Sequence, residues 1–339
     1  MGKFVTSQNY ICVSGYGWSG SSACIDLLKE FEGFGALKGE FRIAKDPYGL
    51  IDLENSLVHN WDFVRHDVAI KDFLNYCKVL SREEGLFSQV GKNFSSKLHV
   101  DFMSESEAYI DRLTDTTYYG DTSIHRYYIS RYKNLFMKIR SKLGKNNVKN
   151  MHLSRPSEVD FIRETKVYID NLLSGYMSLN KINTLILDQA VPPTNIVNIS
   201  RYFENVKMIV VDRDPRDIYS NLVKNNVLIG ADLSRNDSAN KYIKWHKTLR
   251  NNFQGETANG GLSSTVLRIN FEDLVYNYEQ SINKILLFLG DDVIHENKFH
   301  YFDPGGLRAR GNVGLWKTYK NQFIMDEIYN ELGEYCYNH

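Results

Sequence analysis

The segment Ser14-Gly15-Tyr16-Gly17-Trp18-Ser19-Gly20-Ser21-Ser22 has the residue types needed to hold an anion. Glycines let the backbone turn sharply enough for consecutive N–H groups to point into one concavity. A helix starting at the end of such a loop adds the positive end of its dipole. The hydroxyls of Ser19, Ser21 and Ser22 are further donors, so the loop suits a phosphate or sulfate group. Gly15 and Gly20 reproduce the Gly-x4-Gly of nucleotide triphosphatase loops, yet Ser21 stands where those loops carry lysine, which weighs against ATP hydrolysis. A tight structural turn is the alternative reading of the same glycines.

Two further segments carry arginines. Val211-Asp212-Arg213-Asp214-Pro215-Arg216-Asp217-Ile218-Tyr219-Ser220 puts Arg213 and Arg216 directly after a β-branched run, at the strand end where open parallel sheets bind ligands. Ser220 lies nearly two helical turns beyond Arg213, so both side chains can approach one anion from the same side. Local pairing of the arginines with Asp214 and Asp217 is the competing arrangement. In Arg308-Ala309-Arg310-Gly311-Asn312-Val313-Gly314-Leu315-Trp316-Lys317, basic residues flank two spaced glycines, as in a flexible cover over a polyanion, with Trp316 as its anchor or as a surface for a base. A surface loop with solvated charges is the plainer reading. Three anion-competent segments together imply a ligand with phosphates at two ends.

The elements that would position these segments repeat one pattern. Tyr10-Ile11-Cys12-Val13 reads as a strand before the glycine loop, and Ala23, Leu27, Leu28 and Phe31 follow at helical spacing. Lys207 to Val211 reads as a second strand, with Asp214 as N-cap and Pro215 in the first helical position. Ser264 to Ile269 precedes a helix with apolar Ile282, Ile285, Leu286 and Leu289 that ends at Gly290, and another strand is expected at Thr184 to Leu187. Strands alternating with helices predict an α/β fold with a mainly parallel sheet flanked by helices. Residues 68–180 read as mostly helical, with a loop around 144–157 and an apolar stripe of Val159, Ile162, Val167, Ile169, Leu172 and Leu173. One domain over 1–339 with a helical insertion is the economical account.

Composition narrows the partners. Among 339 residues, 41 Lys and Arg balance 41 Asp and Glu, so a broad nucleic-acid-binding surface is disfavoured. Cys12, Cys24, Cys77 and Cys336 are scattered, without the spacing of a zinc site or a disulfide scaffold. No run approaches a membrane span or a secretory leader, and a cytoplasmic setting is expected. The histidines, including His246 beside Trp245, show no metal-ligand spacing, and no metal is expected.

In combination these segments resemble the sulfotransferases that use 3′-phosphoadenosine 5′-phosphosulfate. Trp18-Ser19-Gly20-Ser21-Ser22 resembles the basic-Ser-Gly-Thr-Thr core of that family's 5′-phosphosulfate loop, beginning at Gly17. Arg213, Asp214-Pro215 and Ser220 resemble its 3′-phosphate arginine and serine. Arg310 and Gly311, continued by Gly314, Trp316 and Lys317, resemble its cover, with Arg308 as a further cofactor-binding candidate, and Arg268 to Leu274 resembles its arginine-tyrosine-glutamate-aspartate-leucine segment. The landmarks occur in the family's order. Three departures stand out: Trp18 replaces the loop cation, the Arg213 to Ser220 spacing is seven instead of eight, and Ala309 replaces a cover arginine.

The resemblance implies a P-loop-like sulfotransferase fold and sulfuryl transfer to an acceptor hydroxyl or, less readily, an amine. Positioned N–H groups and a cation would stabilise charge growing on the bridging oxygen. Gly39 to Pro47 reads as a return to the sheet, where Glu40 and Arg42 would share one side. Glu40 is the candidate base, and Arg42 or Lys45 the candidate replacement for the missing cation, against a purely structural Glu40–Arg42 pair. His125 and Asp188 are reserve bases. The 22 tyrosines and four tryptophans lean the acceptor toward a glycan or glycoconjugate, with a small molecule or lipid-linked saccharide as alternatives. The competing functions are a nucleotide-kinase-like phosphotransferase and a non-catalytic nucleotide- or partner-binding protein of the same fold.

Overall fold

A computed structural model describes residues 9–83, 91–120, 130–144, 148–236, 238–251, 264–290 and 293–338. Its strands are β1 (Asn9–Gly15), β2 (Phe34–Glu40), β3 (Thr116–Gly120), β4 (Lys149–Leu153), β5 (Thr184–Asp188), β6 (Asn205–Asp212) and β7 (Val266–Asn270). The chain divides into two compact units, Met1–Arg42 with Met177–His339, and Ile43–Tyr176.

The first unit is an α/β layer structure. Its sheet has the order β2-β5-β1-β6-β7 with every pairing parallel, as the alternating strands and helices predict. Tyr10 to Gly15 of central β1 are all buried, the pattern of a parallel strand covered on both faces. One apolar cluster joins Ile11, Val13, Ile209 and Val211 of the sheet to the helices Ser21–Leu28, Phe271–Tyr276 and Tyr278–Leu289. Another packs the helices Pro215–Asn225, Ala239–Asn251 and Gln322–Leu332 through Tyr219, Leu222, Tyr242 and Ile328. Asp214 caps Pro215–Asn225 by accepting from the Arg216 amide at 2.9 Å, and Gly290 ends Tyr278–Leu289 at φ 118°.

Sequence periodicity misplaced three details. The return to the sheet is β2, which ends at Glu40 after a break in register at left-handed Gly39 (φ 89°), so Arg42 lies beyond the strand. In the second unit the stretch 144–157 contains β4, which pairs antiparallel with β3 from Thr116↔Leu153 to Gly120↔Lys149. Thr116-Thr117-Tyr118-Tyr119 is β-branched and aromatic, and that local preference outweighs the helical surroundings. The helix Glu158–Asn180 buries Phe161, Thr165, Tyr168, Ile169, Leu172 and Leu173, while Val159 and Val167 are exposed. Aromatic packing sets that face: Tyr168 stacks on Tyr109 at 4.5 Å, and the Tyr109 hydroxyl meets Thr165 Oγ1 at 2.7 Å.

Glu30, just beyond the first helix, fixes a segment far away in sequence. Its fully buried carboxylate accepts from the amides of Tyr301 and Phe302 at 2.8 Å, from the Phe299 amide at 3.3 Å and faces His295 Nε2 at 3.0 Å. Removing one charged acceptor from buried donors leaves them unsatisfied. Glu30→Gln should therefore destabilise the protein by about 2 kcal/mol, measured as a lower urea midpoint at unchanged m-value; an unshifted midpoint would show that the 295–302 segment is held by other contacts.

Candidate active site

The glycine loop joins β1 to the helix Ser21–Leu28 through left-handed residues at Gly17 (φ 81°), Trp18 (φ 56°) and Gly20 (φ 91°). Gly20 lies against the Phe271 ring, and a Cβ there would stand 2.6 Å from it, so glycine is required by space as well as by φ. The Gly20 carbonyl accepts from Ala23 at 3.0 Å, opening the helix; the first-turn amides of Ser21 and Ser22 precede any intrahelical acceptor. Ser19 is buried, with no partner for its Oγ among the described residues. Below the loop, Arg250 lies 3.9 Å over the Tyr16 ring and bonds Asp212 at 2.7 Å, while Arg268 grips both Asp212 oxygens at 2.8 Å. Arg268 and Arg250 are thus structural supports of the loop.

The two arginines of the second segment separate. Arg216 pairs with Asp214 through Nε at 3.0 Å and Nη2 at 2.7 Å, and stacks 3.7 Å over Trp316. Arg213 takes the other course. Its Nη1 donates to the Trp18 carbonyl at 2.8 Å and its Nη2 to the Asn312 carbonyl, and its guanidinium lies 5.2 Å over Phe271. With the Asn221 amide turned so that Oδ1 faces the guanidinium, Asn221 accepts from Nη1 at 2.7 Å and Nη2 at 2.9 Å. Burial lowers the Arg213 pKa, and the nearby Asp217, Glu272 and Asp214 carboxylates oppose that shift.

Ser220 Oγ donates to the Arg216 carbonyl at 2.9 Å inside its own helix. The residue beside Arg213 is instead Asn221, eight positions on, which sequence reasoning passed over although the spacing of eight pointed to it. The cover is tied down by Asp217, which accepts from the amides of Gly314 at 2.7 Å and Trp316 at 3.0 Å.

These parts enclose a cavity of about 720 Å³. Loop residues Trp18, Gly20, Ser21 and Ser22 line it, together with Arg213 and Asn221, Glu40 and Asp188, and Arg308 and Asn312 of the cover. Glu40 and Asp188 are register partners at the ends of β2 and β5. Glu40 also pairs with Arg42 at 3.3 Å. Among the described residues the lining cations are Arg213 and Arg308, facing the carboxylates of Asp26, Glu40, Asp188 and Asp303. Gly17, Ser19, Arg310 and Gly311 shape the loop and the short Leu307–Arg310 helix without lining the cavity. Lys45 belongs to the second unit, and His125 lies outside the described residues. His246 is buried and kept neutral, its pKa pushed down to about 3 by burial and by Arg250. One group of possible metal ligands occurs among the described residues, Glu54, His59 and Glu158 of the second unit.

Glu272 holds the arginine turn by accepting the Asp214 amide at 2.9 Å, and burial pushes its carboxyl up to about 7, against 4.5 for an ordinary glutamate. The folded protein binds that proton more tightly than the unfolded chain, so the contribution is complete below pH 4.5 and is lost as pH rises through about 7. Glu272→Gln keeps the acceptor without the charge. Relative to the native protein it should gain about 2 kcal/mol between pH 4.5 and pH 7, read from urea unfolding at both values, with the His246 contribution cancelling in the difference. A difference constant with pH would mean that Glu272 ionises as an ordinary carboxylate.

A model of the sulfotransferase family matches residues 100–294, which include the arginine turn and β7; the glycine loop and the cover lie outside the match. No curated protein matches the chain. Solved structures similar to it include the sulfotransferase domain of the Synechococcus PCC 7002 olefin synthase, 13% identical with a TM-score of 0.44 over 99% of this chain and 98% of that one. A sulfotransferase domain from the curacin biosynthetic pathway is 13% identical with a TM-score of 0.39, over 96% of this chain and 98% of that one. Retinol dehydratase, solved with androsterone and the inactive cofactor PAP, is 14% identical with a TM-score of 0.35, over 96% and 80%. The family model spans more than half of the chain, and the chain belongs to the sulfotransferase family.

Proposed function

We propose that the protein is an enzyme that moves a sulfuryl group from 3′-phosphoadenosine 5′-phosphosulfate to an acceptor hydroxyl, with a glycan or glycoconjugate as the favoured acceptor class. The observation that carries this reading is the convergence of the glycine loop, Arg213 and the cover on one cavity. The first-turn amides of Ser21 and Ser22, and Arg308, at the cavity wall fit a ligand rich in anionic oxygens. The donor, when bound, supplies the activated sulfuryl group and a phosphate as leaving group.

The roles of the chain's own groups follow from position. Amides and hydroxyls at Gly20, Ser21 and Ser22 orient the phosphosulfate end, with the helix dipole adding positive potential. Arg213, Asn221 and Arg308 take the 3′-phosphate end, where a planar guanidinium suits a phosphate. Glu40 accepts the acceptor's proton, and its 3.3 Å contact with Arg42 orients the carboxylate. Asp188, its register partner on β5, is the alternative base. Arg42, paired with Glu40 just beyond β2, supplies the charge that Trp18 cannot. Trp18, exposed at the loop, is also the feature that favours the second reading, a protein of this fold that binds nucleotide without turning it over.

Isothermal titration should show preference for 3′-phosphoadenosine 5′-phosphate over 5′-AMP, ADP and magnesium-ATP. Arg213→Ala should weaken that binding by about 100-fold, with circular dichroism to verify folding; equal affinity for AMP would remove the 3′-phosphate assignment, and preference for magnesium-ATP would favour a kinase. In an acceptor assay, Glu40→Gln should lower turnover by about 100-fold or more while leaving nucleotide affinity intact. Undiminished turnover would pass the role of base to Asp188, and absence of transfer to every acceptor would favour the non-catalytic reading.

A further inference from the structure

The helix Arg131–Lys142 of the second unit carries its large apolar residues outward. It buries no residue. The helices Arg65–Ser81 and Phe102–Leu113 of the same unit instead bury Ile70, Phe73 and Cys77, and Tyr109, Ile110 and Leu113. In Arg131–Lys142 and its C-cap the large apolar residues point to solvent: Tyr132 is 86% exposed, Leu135 59%, Phe136 61%, Ile139 48% and Leu143 69%. The half-buried positions are Asn134 and Met137.

At 3.6 residues per turn, these five apolar side chains fall within an arc of about 100°. Arg140 and Lys133 border one edge of that arc, and Lys142, Arg131 and Lys138 the other. No acidic residue dilutes the charge: between Asp121 and Glu158 the sequence has neither Asp nor Glu, in a chain whose total formal charge is zero. Ser130 caps the helix by accepting from the Lys133 amide, so its first turn is closed. The strands on either side of it in sequence, β3 and β4, pair with each other up to Gly120↔Lys149.

An apolar arc with cations along both borders is the arrangement of a helix that lies in the plane of a membrane surface. The ring and aliphatic groups enter the acyl boundary, and Lys and Arg stems reach outward to the phosphates. We propose that this helix docks the protein on an anionic phospholipid surface, with Tyr132, Leu135, Phe136 and Ile139 as the inserted groups. Charge complementarity sets the choice of occupant. A second copy would bring five cations against five, and a protein groove that encloses a helix would need the circumference that Asn134 and Met137 turn toward the body. A flat anionic surface needs only the arc that is free. No helix among the described residues is long and apolar enough to cross a membrane, and in-plane docking requires none.

The test is flotation of the full chain with vesicles of phosphatidylcholine containing about 30 mol % phosphatidylserine, against pure phosphatidylcholine. Binding should be confined to the anionic vesicles and be reversed at about 0.5 M salt. Each surface cation is worth roughly fivefold in partitioning, so the triple variant Lys138→Gln, Arg140→Gln and Lys142→Gln should bind about 100-fold more weakly. Leu135→Ser with Phe136→Ser should abolish binding without changing the melting temperature, because both side chains are exposed in the folded protein. The proposal is overturned by equal binding to both vesicle types, by no binding to either, or by binding that neither variant alters. Dimerisation in sedimentation that the Leu135→Ser, Phe136→Ser variant abolishes, without vesicle association, would assign the face to a second copy instead.

Discussion

A buried guanidinium needs hydrogen-bond acceptors inside the protein, and in this chain that demand falls on Arg213. Its partners are the Trp18 carbonyl of the glycine loop, the Asn312 carbonyl of the cover and Asn221 of its own helix, with Phe271 beneath. Three segments far apart in sequence are thereby held to one point. The nearby carboxylates are engaged elsewhere: Asp214 holds Arg216, Asp217 holds two amides of the cover, and Glu272 holds the Asp214 amide. The guanidinium thus spends its Nη donors on the protein and lies at the wall of the cavity, with Nε buried and unpartnered among the described residues.

This division of labour explains the electrostatics of the cavity. Four carboxylates and two arginines line it, so its wall is not uniformly positive. Asp26 pairs with Lys29 at 2.7 Å, Glu40 with Arg42 at 3.3 Å, and Asp303 is turned to the Gly305 amide at 2.8 Å, while Glu40 and Asp188 end β2 and β5 as register partners. The proposed transfer makes two demands on such a mixed wall, positive charge for the donor and a carboxylate for the acceptor's proton.

What was legible in the sequence was what is decided locally. The glycine loop and the Asp214-Pro215 cap depend on neighbours a few residues away, and the structure contains both. The parallel sheet followed from alternation of element types. The separate fates of Arg213 and Arg216 were not legible, because two arginines three residues apart have the same local prospects until Trp316 and Asn312 arrive from the far end of the chain. Glu30 gave no signal at all, since its partners lie beyond residue 294. In the helix Glu158–Asn180, counting aliphatic residues picked Val159 and Val167, whereas the buried face is built on Phe161 and Tyr168. The antiparallel pairing of β3 with β4 was hidden because each strand is short and surrounded by helical sequence.

The position of β1 has a consequence for how the chain is made. It is the central strand of the sheet, yet its partners are Thr184 to Asp188 and Asn205 to Val211, so neither flank can be paired while the first half of the chain is being synthesised. Domains form as units when their residues are available, and the second unit, continuous from Ile43 to Tyr176, is available first. During that interval β1 is an apolar segment with two open hydrogen-bonding edges, the kind of segment that other chains and chaperones recognise. The order of translation therefore makes β1, and the anion loop attached to it, wait for native neighbours until well over half of the chain has been made.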